Sequence, residues 1–335
     1  MNPKRWTALG IAVAILIISG VTQISRLFTN ASQQEGPAFW EEFAMLGGLN
    51  EEVKEAGDRN ERIVIINVNG AIMDAGGTFF STPGVYNHQN FLRQLDIIAE
   101  DPTIKGVLLT VDSPGGGVFE SAQIKSKLDF LQERVPLYVS MGAMAASGGY
   151  YIAAGADRIF AAPETITGSL GVIMQSFNVG GLMDEWGVSE QTIKSGEHKD
   201  IMSMFREMTE GEREILQQMI DNSYQAFVDI IAKGRGMSEA EVRQLADGRI
   251  YDGRQALDVN LIDGFGYLDD VISTMRTDLG LGHAEVFSYG EPGGFGSFFW
   301  SRLESFLPLN VPKERQLLEH LNTNQAPRLY YMWGA

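Results

Sequence analysis

The apolar positions of this chain change their period several times along its length, and each change predicts a new element. Residues 6–25, "WTALGIAVAILIISGVTQIS", carry no charge. Twenty residues of helix span about 30 Å, the thickness of a hydrocarbon core, so this run predicts a membrane-spanning helix. In "FWEEFAMLGGLNEEVKEAG", Phe39, Trp40, Phe43, Leu46, Leu49 and Val53 recur at roughly helical spacing between acids. That pattern predicts an amphipathic helix, lying near a membrane, on a partner or on its own domain.

From Arg62 the period shortens. "RIVIINVNGAI" is a β-branched run closed by Asn and Gly, and predicts a strand. "YNHQNFLRQLDIIAEDPTIKG" returns to helical spacing through Phe91, Leu92, Leu95, Ile98 and Ala99. "GVLLTVDSPGGG" is apolar without alternation, as in a strand covered on both faces. A helix follows over "VFESAQIKSKLDFLQERV", with Val118, Ala122, Ile124 and Leu128 inward. Then come a strand, "PLYVSMGAMAAS", a short helix, "GGYYIAAGA", and two short strands in "RIFAAPETITGSLGVI". The alternation of strand and helix predicts a mostly parallel α/β sheet.

Beyond Ile173 the pattern predicts a helix in "VGGLMDEWG" and a short strand in "SEQTIKSG". A long helix follows from Glu210, and another begins after Ser238. Thr209 with Glu212 and Ser238 with Glu241 have capping-box spacing. The C-terminal stretches "GGFGSFFWSRLESFL" and "APRLYYMWGA" are apolar and aromatic.

Charge adds an orientation. Lys4 and Arg5 precede the uncharged span, and the chain beyond Arg26 turns polar and then acidic. The positive-inside rule puts the N-terminus in the cytoplasm and the remainder outside it. A cleavable signal peptide competes with this reading, with Thr29–Ala31 as its cleavage site. The run is long for such a peptide and the site lies several residues past it, so an uncleaved anchor is the expectation. The net charge of −17 argues against nucleic acid, which needs a basic stripe. The 335 residues contain no cysteine, which excludes a disulfide framework, a thiolate zinc site and a cysteine nucleophile.

In parallel α/β sheets ligands bind at the carboxyl ends of strands. Two glycine-rich stretches fall there, "SPGGG" and "AASGG". Bare backbone N–H groups in the first can hold an anion or form only a tight turn. Ser147, in the second, can be a helix N-cap or an exposed nucleophile. A serine hydroxyl needs a base, and His88, His283 and His320 stand in no suggestive context. "KSGEHKD" offers His198, Lys194 and Lys199. Lysine serves as a base only when neutral, and an apolar cleft favours that state.

Four stretches in order, "VDSPGGG", "MAASGGYYIA", "TGSLGVI" and "KSGEHKDIMS", together resemble the signal peptide peptidase A family in its short, single-repeat, membrane-anchored form. The resemblance runs on through "DGRIYDGRQALDVNLID". It implies a ClpP/crotonase-like fold, a superhelix of repeated ββα units on a mostly parallel sheet, preceded by one transmembrane helix. It implies a serine peptidase with a Ser–Lys dyad and no cofactor, cutting remnant signal peptides at the membrane. Position by position, Ser147 would be the nucleophile and Lys199 the general base. Ser169 would orient Lys199, and Gly116 and Gly148 would form the oxyanion hole. It further implies a ring-shaped homo-oligomer in which neighbouring subunits share each site.

The expected organisation is a cytoplasmic tip (1–5), an anchor (6–25), a spacer (26–60), a ClpP-like peptidase domain (61–280) and a C-terminal segment (281–335). Two other functions remain open. One is a crotonase-type acyl-CoA enzyme, which would be cytoplasmic with an acidic catalytic group. The other is an anchored, non-catalytic scaffold that binds peptides on the same fold.

Overall fold

The computed structural model describes residues 49–74, 86–290 and 329–333. The expected cytoplasmic tip, anchor and most of the spacer lie outside the described residues. Among the described residues no helix is long and apolar enough to cross a membrane.

The sheet is built around β2, Asp58–Asn69. Successive side chains of a strand point to opposite faces. Ile63 and Ile65 of β2 enter one apolar cluster, and Val64, Ile66 and Val68 enter another. Both faces are therefore covered, which is why the run reads as continuously apolar. Its neighbours are β3 (Ile104–Ser113) on one side and β10 (Ala284–Tyr289) on the other, both parallel to it. Beyond β3 lies β5 (Leu137–Ala146), then β6 (Arg158–Ala161) and β9 (Gly264–Phe265). β5 forks. Tyr138–Ser140 pair with β6, and Met144–Ala146 pair with β7 (Ile166–Gly168), both in parallel. β7 in turn pairs antiparallel with β8 (Ile250–Asp252). The expected mixed α/β class and mostly parallel sheet are present.

Helices cover both faces. On one lie α1 (His88–Glu100), α2 (Val118–Gln132), α3 (Gly148–Ala153) and α5 (Glu210–Arg235). On the other, Val271, Ile272 and Met275 of α8 (Leu268–Leu279) pack against Ile63, Ile65 and Leu108. Between them in sequence stand α4 (Gly180–Glu185), α6 (Glu239–Leu245) and α7 (Gly253–Asp258). The capping boxes at Thr209/Glu212 and Ser238/Glu241 are formed, and Asp252/Gln255 makes a third. α5 comes so close to α3 that a methyl on Gly234 would stand 2.0 Å from the Ala154 carbonyl oxygen.

Two expectations are corrected. The helical spacing that runs through Leu49 and Val53 ends in a strand, β1 (Glu51–Glu55), antiparallel to β10. There the backbone edge of β10 offers hydrogen bonds that an isolated helix end lacks, and Val53 stays 48% exposed. Within the stretch from residue 281, β10 inserts between β1 and β2. The strand expected in "SEQTIKSG" is absent among the described residues, because no sheet edge reaches it.

Candidate active site

The site begins with a register. Ala146, the last residue of β5, pairs with Gly168, the last of β7. The residues that follow are Ser147 and Ser169, so the pairing brings the two serines side by side. The Ser147 N–H donates to the Gly168 carbonyl at 2.8 Å, and the Ser169 N–H to the Arg249 carbonyl at 2.7 Å. Both serines hold positive φ, 53° and 49°. A non-glycine residue there costs about 1–3 kcal/mol and persists only where its surroundings enforce it. Ser147 stands at the N-cap of α3, yet its side chain makes no capping hydrogen bond. The cap reading of this serine therefore fails. Its hydroxyl is left for other use while the residue is 1% exposed.

The expected glycines meet at the same turn. After β3, the short strand β4 (Gly115–Gly117) leads straight into α2. A methyl on Gly115 would stand 2.6 Å from the Gly148 nitrogen, and one on Gly148 would stand 3.1 Å from the Gly116 nitrogen. Ile72 braces the other side of β4, accepting from Gly117 N–H and donating to Gly115 C=O, each at 2.8 Å. A methyl on Gly116 would meet the Ile72 oxygen at 2.0 Å, so only glycine allows this approach.

A peptide already lies across this turn. β11 (Tyr330–Met332) pairs antiparallel with β4, Tyr331 opposite Gly116. On its other edge Tyr330 exchanges both backbone hydrogen bonds with Ile173 at 3.0 Å. Val118 N–H to Leu329 C=O and Trp333 N–H to Pro114 C=O extend the ladder at 3.1 and 2.9 Å. The Tyr331 carbonyl oxygen would stand 3.1 Å from a methyl on Gly148 and 2.0 Å from one on Gly115. Its side chain, 1% exposed, stacks on Tyr151 at 4.7 Å and packs on Phe227 at 4.8 Å. The Tyr331 hydroxyl donates to the Ser223 carbonyl at 2.9 Å, and burial pushes this phenol well above its ordinary pKa. An extended chain held on both edges, with one side chain in an apolar pocket, is how a sheet edge binds a peptide.

Lys199 is not brought to this turn. Its side chain is exposed and forms no hydrogen bond or ion pair among the described residues. The surrounding segment is nevertheless fixed. Asp200 accepts from Lys194 at 2.6 Å and from Arg206 at 2.8 and 3.0 Å, and these bonds hold its carboxyl well below the usual range. Arg206 continues to Glu212, at 2.8 Å through one of its nitrogens. On the same stretch Phe177, Trp186 and Ile193 are exposed. Among the described residues no cluster of three or more His, Asp or Glu is placed to hold a metal ion.

Sequence reasoning named Ser147, Ser169, Gly116 and Gly148, which the backbone pairing gathers at this turn. It missed Ile72, Ile173, Tyr151, Phe227 and the tail strand. The tail's aromatic residues were its only signal, because strand pairing over so long a separation leaves no local pattern.

Comparison with known proteins gives a match to peptidase family S49 over residues 129–282. A protein of Enterococcus faecium named "Putative signal peptide peptidase SppA" is 38% identical over 100% of this chain and 99% of that protein. "Protease 4" of Haemophilus influenzae is 33% identical over 63% of this chain and 34% of its own length. "Serine protease SPPA, chloroplastic" of Arabidopsis thaliana is 31% identical over 64% of this chain and 32% of its own.

Proposed function

The chain belongs to peptidase family S49 and is a serine peptidase, and from that premise we propose that it is a membrane-anchored endopeptidase working by a Ser–Lys dyad. Its substrates are remnant signal peptides and other apolar peptides at the membrane. The observation that carries this reading is the strand at Tyr330–Met332. It lies between β4 and Ile173 with the Tyr331 carbonyl against Gly115 and Gly148, beside Ser147. A substrate laid in the same way presents its scissile carbonyl to the Ser147 hydroxyl. The apolar pocket of Tyr151 and Phe227 suits apolar side chains.

The chemistry follows from the groups. Lys199 takes the proton of Ser147, whose oxygen attacks the carbonyl carbon. The carbonyl electron pair moves to oxygen, and the backbone N–H groups of Gly116 and Gly148 hold the oxyanion. The intermediate collapses, the amine leaves with the proton from Lys199, and water then hydrolyses the acyl-enzyme. Ser169, next to Ser147, orients the lysine.

The lysine comes from a neighbouring copy in a ring-shaped homo-oligomer. Two features support this. Lys199 has no partner among the described residues of its own chain, and Phe177, Trp186 and Ile193 on its segment lack cover. The uncharged run 6–25 anchors the chain in the cell membrane, with the N-terminus cytoplasmic and the peptidase domain outside.

The test is a peptidase assay of the full chain in detergent with an apolar peptide. Ser147→Ala and Lys199→Ala should each be inactive, and the two co-expressed should recover part of the activity. Activity retained by Ser147→Ala overturns the nucleophile. No recovery in the mixture overturns the shared site.

A further inference from the structure

We propose that Ser121 is a further catalytic residue, whose hydroxyl is a third donor to the oxyanion formed when Ser147 attacks; this rests on the reading of Ser147 as nucleophile. Ser121 lies in the first turns of α2, the helix that starts directly after Gly117. It is fully buried, at 0% exposure. Its Oγ has no hydrogen-bond partner among the described residues. A buried hydroxyl left unbonded costs stability. A serine within a helix has a ready partner in the carbonyl four residues back, here that of Gly117. Ser121 does not use it.

The position of this hydroxyl gives the reason. A methyl on Gly148 would stand 2.7 Å from Ser121 Oγ, 3.1 Å from the Gly116 nitrogen and 3.1 Å from the Tyr331 carbonyl oxygen. The orphan hydroxyl, the expected oxyanion donors and the carbonyl of the bound strand thus surround one small space. Among the described residues the other buried orphan atoms are Arg276 Nε, Glu285 Oε1 and the Tyr289 hydroxyl; the first two belong to the ion-pair clusters around Arg276 and Arg62, and of the four only Ser121 borders the turn at Ser147.

In the ground state the trigonal carbonyl makes no hydrogen bond with Ser121. On attack the bond from Ser147 Oγ to the carbonyl carbon forms and the π pair moves to the carbonyl oxygen. The Ser147 proton goes to Lys199, and Ser121 keeps its own. The oxygen is displaced as the carbon becomes tetrahedral, and it now carries charge. A donor that the trigonal oxygen does not satisfy but the displaced oxyanion does stabilises the transition state selectively, and so raises kcat rather than binding.

The experiment uses the full chain in detergent, as wild type, Ser121→Ala and Ser147→Ala. It measures kcat and KM on an apolar peptide, affinity for an apolar peptide aldehyde and the melting temperature. The aldehyde forms a tetrahedral adduct on a nucleophilic serine. Ser121→Ala should lower kcat roughly a hundredfold, the scale of losing one oxyanion donor. KM should stay within about twofold, since the interaction is made only in the transition state. Aldehyde affinity should weaken in step with kcat, and the melting temperature should not fall, because an unsatisfied polar atom has been removed. If kcat and aldehyde affinity stay within about threefold of wild type, Ser121 is no oxyanion donor. A raised KM with a lowered melting temperature gives it a structural role and also overturns the proposal. Activity retained by Ser147→Ala overturns the nucleophile reading instead, whatever Ser121→Ala does.

Discussion

Ser147 and Ser169 stand one residue past a paired strand end, Ala146 opposite Gly168, and both are held at positive φ. Two adjacent parallel strands thus break at the same level, and each break turns a serine out of its sheet. The bond from Ser147 N–H to Gly168 C=O ties the two breaks together. Whatever moves Gly168 therefore moves the Ser147 turn.

Gly168 is a point at which this arrangement can be tested without touching the reacting groups. It sits at φ 86°, and a methyl there would meet the Tyr251 ring at 2.5 Å and the Arg249 oxygen at 2.9 Å. Gly168→Ala should cost about 1–3 kcal/mol of stability. It should also lower kcat, read by thermal melting and peptidase assay. A variant with unchanged melting and activity would mean that the β7 end does not fix the turn.

Ser169→Ala leaves the backbone in place but removes the hydroxyl expected to orient the lysine. It should lower kcat about tenfold or more, on the scale of a mispositioned proton-transfer group, with KM unchanged. A change confined to KM would place Ser169 in substrate binding instead.

The strand at residues 329–333 competes with peptide for the groove. Removing residues 329–335 should raise kcat/KM several-fold, because each substrate no longer has to displace the strand. The same truncation should lower the melting temperature, since the Tyr331 pairs with Tyr151 and Phe227 are each worth about 0.5–1.5 kcal/mol beyond area burial. Equal kcat/KM for the truncated and full chains would show that the strand leaves the groove freely.

The segment around Lys199 should be acid-sensitive. Hydrogen bonds from Arg206 pull the Glu212 carboxyl down from 4.5 to about 2. A lowered folded pKa means that the ionised form is stabilised by folding. The contribution is therefore complete above about 4.5 and is lost as pH falls through about 2. Asp200, held low by the same arginine and by Lys194, acts in the same direction. Hydrogen exchange of residues 194–206 should accelerate on acidification before that of β2 and β3. Arg206→Met should produce the same loosening at neutral pH, together with lower peptidase activity. Uniform exchange across the chain under acid would dissociate this ion-pair network from local order.

Much of the fold was legible because its signals are local. The β-branched run at Ile63–Val68, the helical spacing of Phe91, Leu92, Leu95 and Ile98, and the capping box at Thr209 each depend on neighbours within a few residues. The serines and glycines of the site were legible because a close backbone approach admits only small residues. The spacer's helical spacing misled at Val53, where the open edge of β10 captured the chain as a strand.

The amino-acid order determined the class of sheet, the positions of its turns and the set of small residues from which the site is made. Tertiary structure alone decided that Ala146 and Gly168 share a register and that Gly116 and Gly148 meet. It alone decided that the strand Tyr330–Met332 lies between β4 and Ile173 while Lys199 is left exposed. The physical reason is range. Propensity and periodicity act over one or two turns of chain, whereas pairing between distant backbones is selected by which hydrogen-bonding edges and apolar faces remain unsatisfied once the rest has packed.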